Sequence, residues 1–159
     1  MVSGLVCTQY LTPVVQAAKI MDFVFKSAYD TLGEGTRGCD LAAEIMAAQV
    51  RGTEGNGGTF TAIAPILAVG CDSDAGHMQW DDQPYIVRDE DGCLPVSKNG
   101  NGAAVVMELA SARNHYHCPM ARTVFLGEPS ADYKKFVDTC YDAMEVAPLL
   151  CAPACMTLD

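Results

Sequence analysis

The chain has 159 residues, 50% of them hydrophobic and 19% charged, with 20 Asp and Glu against 10 Lys and Arg for a formal charge of −10. That length suits one domain able to bury a core. The acidic balance excludes nucleic-acid binding through direct basic contacts, and an anionic membrane surface would repel the chain for the same reason.

Thr12 and Pro13 make a helix start, a capping hydroxyl followed by proline at the first helical position. From Val14 to Leu32 the polar residues Gln16, Lys19, Asp22, Lys26 and Asp30 recur at three- and four-residue steps and form one narrow stripe. The rest of that helix is apolar or small, so it is expected to be covered on most sides, by its own domain or by neighbouring subunits. Gly33 to Gly38 breaks it, and Asp40 is expected to cap a second helix from Leu41 to Val50 that ends before Gly52.

After the glycine-rich stretch 52–58 the signals change to strand and turn. Strands are expected at 59–63 and 66–69, split by Pro65, then at 85–88, 94–97, 103–107 and 122–126. A turn is expected at 89–92, and Asn99 to Gly102 reads as a hairpin turn between two of the strands. Pro129 and Ser130 open a third helix with Tyr133, Phe136, Val137, Cys140, Tyr141 and Met144 on one face, ended by Pro148. The expected fold is therefore α+β: two N-terminal helices, an antiparallel β-meander of about four to five short strands, an amphipathic C-terminal helix and a cysteine-bearing tail. It forms a single domain, with a helical part at 1–52, a strand-rich part at 58–128 and the C-terminal helix and tail at 129–159.

Cys7, Cys39, Cys71, Cys93, Cys118, Cys140, Cys151 and Cys155 are spread almost end to end with no Cys-x-x-Cys pair. That pattern argues against zinc ribbons, thioredoxin-like sites and c-type haem, and all eight read as disulfide candidates. Disulfides call for an oxidising, extracellular or virion setting, although the first residues lack the basic and apolar regions of a signal peptide. No apolar run is long enough to span a membrane.

Asp72, Asp74, Asp89 and Asp91 place hard oxygen donors beside glycine-containing turns, the chemistry calcium needs, but the EF-hand spacing fails. The sequence assigns no cofactor firmly, with calcium as its candidate. His115 and His117, if extended, would point to one face and could hold a transition metal with Cys118 adjacent. No nucleophile elbow, phosphate loop or dinucleotide fingerprint occurs, so no catalytic residue is assigned and the pattern points away from an enzyme. These features lead to a self-assembling structural subunit of capsid, coat, pilus or filament type, its partners copies of itself and its assembly contact at Phe23, Val24 and Phe25. The alternative is a monomeric secreted binding module or small enzyme, stabilised by disulfides, with a site carried on loops.

Overall fold

The computed structural model describes residues 3–82 and 102–150, the side chains of 3–10, 71, 74 and 148–150 excepted. The strands expected at 85–88 and 94–97, the turn at 89–92, the turn at 99–102 except for Gly102, and the tail after 150 lie outside the described residues. Two helices come first, α1 (Ser3–Thr31) and α2 (Gly38–Arg51). They are followed by β1 (Ile66–Val69), a short 3-10 turn (Gly70–Asp74), β2 (Gly102–Arg113), β3 (Tyr116–Gly127) and α3 (Ala131–Leu150). The strands form one antiparallel sheet in the order β1-β2-β3, so β1 and β3 are its edges among the described residues.

The expected meander of four to five short strands is overturned. β2 and β3 are 12 residues each and make one long hairpin in unbroken register from Gly102↔Gly127 to Arg113↔Tyr116. The turn between them is Asn114 and His115, with φ of 50° and 66°. Two consecutive left-handed residues form the tight connection that suits the right-handed twist of the strands, and Asn and His tolerate that region better than most residues. With no glycine at the turn, the chain shows no obvious break there. Residues 59–63, expected as a strand, are irregular.

α1 begins well before Pro13, which lies inside it. Its residues Ala17, Ile20, Met21, Val24 and Ala28 are completely buried, at the three- and four-residue steps of one helical face. They meet Leu41, Ile45 and Ala48 of α2 and Val105, Met107 and Leu109 of β2 in one core. Each large side chain so buried is worth roughly 1.5–3 kcal/mol. Val24 and Phe25 thus belong to the chain's own core and Phe23 packs against it, where an assembly contact was expected.

Two buried polar groups tie this core together. The Ser111 hydroxyl donates to the carbonyl of Ala17 in mid-α1 at 2.6 Å, and the Gln49 amide donates to the carbonyl of Ala110 at the same distance. Gly52 closes α2 at φ 63°, its N–H donating to the Ala48 carbonyl. Beyond it Gly58 runs so close to the Gln49 carbonyl that a Cβ would overlap that oxygen. Asp40 is not the cap of α2. It lies in the first turn and takes two 2.8 Å hydrogen bonds from the Arg37 guanidinium.

The cysteines are corrected as well. Cys39, Cys118 and Cys140 are free thiols, and they stand on α2, β3 and α3 respectively. Apolar burial, with no disulfide among the described residues, holds this fold. Cys93, Cys151 and Cys155 lie outside the described residues, as do the side chains of Cys7 and Cys71.

Met107→Ala should cost about 2–5 kcal/mol in urea unfolding, since a fully buried side chain leaves a cavity between helix and sheet. Gly58→Ala should lower the melting temperature without removing any apolar contact. The bonds from Arg37 hold the Asp40 carboxyl below its ordinary value of 3.8. That small stabilisation is present above the ordinary value and is lost as pH falls through the depressed one. Arg37→Ala should therefore move the Asp40 titration midpoint upward in an NMR pH series.

Candidate functional site on the open face of the sheet

Alternation along β2 and β3 sends their side chains to two unlike faces. Val105, Met107, Leu109 and Ser111 point to the helices, each buried. The other face carries small and apolar residues, with Glu108 as its exposed carboxylate. Pairing places Ala121 of β3 and Ile66 of β1 directly across from Glu108. Among the described residues no ion pair involves Glu108. It is an exposed charge inside an otherwise uncharged run from Ala103 to Ala112, with Thr123 and His117 of β3 further along the same face.

Two elements border the platform. At the hairpin tip the loop 58–65 is hydrogen-bonded down. The Thr59 N–H donates to the Ala112 carbonyl at 2.8 Å, and the His115 N–H donates to the Thr59 hydroxyl at 3.3 Å. The Arg113 guanidinium reaches the Gly57 carbonyl at 2.7 Å. The loop leaves Phe60 and Ile63 projecting, 85% and 63% exposed. At the other end α3 starts with the Ser130 hydroxyl accepting the Tyr133 N–H at 3.2 Å, and the Tyr133 ring meets Phe125 in a tilted contact, centroids 5.1 Å apart. Burial pushes the Tyr133 phenol above its ordinary value, with the nearby Cys140 thiol adding to the shift. Much of α3 beyond this contact shows apolar side chains to solvent, Phe136, Tyr141 and Met144 among them.

The two histidines do not share an extended segment. His115 occupies the turn, whereas His117 lies on β3. Both ring nitrogens of His117 are engaged: Nε2 accepts the Ala62 N–H at 3.1 Å and Nδ1 lies 3.0 Å from the His115 carbonyl. That geometry requires the proton on Nδ1, donating to the carbonyl, and uses the Nε2 lone pair that a metal would need. Of the carboxylates read as a calcium loop, Asp72 is exposed on the 3-10 turn, the Asp74 side chain is outside the described set, and Asp89 and Asp91 lie outside the described residues. Among the described residues no three His, Cys, Asp or Glu side chains gather as a metal site would require, and no helix is long and apolar enough to cross a membrane.

Comparison with known proteins decides what this platform belongs to. A match to the metallopeptidase family M24 runs over residues 14–158. The chain belongs to that family. It is 28% identical over 148 residues to the ectoine hydrolase of Halomonas elongata, covering 90% of this chain and 34% of that protein. An uncharacterised hydrolase/peptidase of Sinorhizobium fredii is 28% identical over 132 residues, or 83% of this chain and 30% of its own length. The fold is that of the X-Pro aminopeptidase of Thermotoga maritima, with a TM-score of 0.65 at 23% identity, over 85% of this chain and 33% of the other. It is likewise that of the prolidase of Pyrococcus horikoshii, with a TM-score of 0.66 at 22% identity, over 86% and 34%. The chain thus spans about a third of the length of these relatives.

Membership in a hydrolase family overturns the reading of a self-assembling capsid, coat, pilus or filament subunit, and with it the virion assignment as a structural protein. The small-enzyme alternative fits better. The helix with an apolar majority, which prompted the assembly reading, is covered by α2 and the sheet of its own chain. Metallopeptidases hold divalent metal ions, and among the described residues no three donor side chains gather to hold one.

His117→Phe should keep the fold but free the Ala62 amide. Its hydrogen exchange should accelerate about tenfold, matching the loss of one hydrogen bond of roughly 1–1.5 kcal/mol, while amides of β2 stay protected.

Proposed function

We propose that this chain forms the α1–α2–sheet portion of an M24-type hydrolase that cleaves an amide-type C–N bond in a small substrate held over the open face of the sheet. The family match from residue 14 to 158 carries this reading. The names of the relatives support it, being an ectoine hydrolase and a hydrolase/peptidase in sequence. The site has the form such a reaction uses: a rigid two-stranded platform, one exposed carboxylate able to take a proton from water, and an apolar rim at Phe60 and Ile63 to seat an uncharged part of the substrate. A calcium loop through Asp72, Asp74, Asp89 and Asp91 stays a separate proposal, checked by thermal melts with calcium and with chelator.

Ectoine and a panel of Xaa-Pro dipeptides, followed by mass spectrometry and by amide shifts in NMR, test the hydrolase reading. Turnover or shifts confined to β2, β3 and the 59–64 loop, and diminished at least tenfold by Glu108→Gln, are the expected result. No turnover and no shifts with any of these compounds would overturn it.

A further inference from the structure

We infer that the described residues of this sheet form no divalent metal site, so that this face departs from the donor chemistry its family name implies. The inference takes from the proposed function only that the open face is the reaction platform. A protein-held divalent cation needs several anionic oxygens, thiolates or imidazoles converging from different elements. Among the described residues Glu108 is the place to look for such convergence. Directly opposite stand Ala121 and Ile66, at the cross-strand spacing of about 4.5–5.5 Å between Cβ atoms. On the diagonals of β3 stand Pro119 and Thr123, and two residues along β2 stand Val106 and Ala110. Of these six neighbours Thr123 alone has a polar side chain, a neutral hydroxyl, and none brings a second charge.

His117 cannot supply the missing donor. Its partner in the register is Ala112, four residues from Glu108, which at about 3.4 Å per residue sets the two side chains roughly 14 Å apart along the strands. Its Nε2 lone pair is also spent on the Ala62 N–H. The helix-covered face brings one donor, the Cys118 thiol opposite Ser111, beside the apolar Val105, Met107 and Leu109 and a Ser111 hydroxyl already bonded to Ala17. A lone carboxylate flanked by methyl groups leaves a divalent ion holding most of its water, with no chelation to keep it.

The experiment uses the whole chain, purified without chelator. Its metal content is measured by mass spectrometry as isolated and again after excess Mn²⁺, Co²⁺ or Zn²⁺ and desalting, beside Glu108→Ala. Less than about a tenth of an ion per chain, and a melting temperature unmoved by metal or by EDTA, is the expected result. Metal retained equally by the parent and Glu108→Ala also upholds the inference, since its site is then not on this face. About one ion or more per chain that Glu108→Ala abolishes, while that variant melts like the parent, would overturn it. Turnover or substrate shifts that vanish with EDTA, return with Mn²⁺ and lose that response in Glu108→Ala would overturn it too, yet leave the hydrolase reading standing. The reverse pattern, no substrate response and no metal, would remove that reading and keep the metal inference.

Discussion

Everything on this sheet depends on how α1 is held against it, and that is settled by a hydrogen bond in a place without water. The Ser111 hydroxyl, fully buried, donates to the Ala17 carbonyl. A buried hydroxyl left unpaired would cost about 1–3 kcal/mol, so sliding α1 by one turn is disfavoured far more than apolar contact alone would disfavour it. The Gln49 amide does the same for α2 through the Ala110 carbonyl. Oily surfaces tolerate slippage, but these two polar ties allow one register. With the helices fixed, Val105, Met107 and Leu109 are committed inward, and the two-residue period of the strand sends Glu108 outward without any further instruction.

The same period explains why the open face is chemically sparse. β2 has to be apolar inward for the core, and outward it is mostly alanine and valine, which packs closely and carries no charge. A single carboxylate on such ground has no competing partner nearby. The neighbouring loop is fastened through His117 and Thr59 to the hairpin tip, so Phe60 and Ile63 are exposed because their backbone is pinned.

Part of this was legible in the residues alone. The polar stripe from Gln16 to Asp30 marked the solvent side of α1, and the apolar run at Ile66 to Val69 marked β1, because both follow a simple period. α3 was signalled by Ser130. What failed has physical causes. The covering of α1 was assigned partly to other copies because a single helix cannot show that α2 and the sheet cover its Ala17–Ala28 face. The hairpin was missed because its turn is built from Asn and His in the left-handed region, where the usual glycine signal is missing. Reading His115 and His117 as a ligand pair followed from that same miss. Glu108 was passed over because the strand was ended at Met107; continued to Ala112, the run would have shown one charge standing alone.

The edge position of β3 carries a further consequence. A strand of 12 residues with one neighbour among the described residues turns a row of amides and carbonyls outward, and such rows recruit other strands and seed aggregates. Pro119 takes one donor out of the strand altogether, and three residues on the Arg122 guanidinium covers the Ala121 carbonyl at 2.8 Å. The strand is therefore interrupted near its middle as a template, which leaves a newcomer two short stretches to pair with in place of one long one.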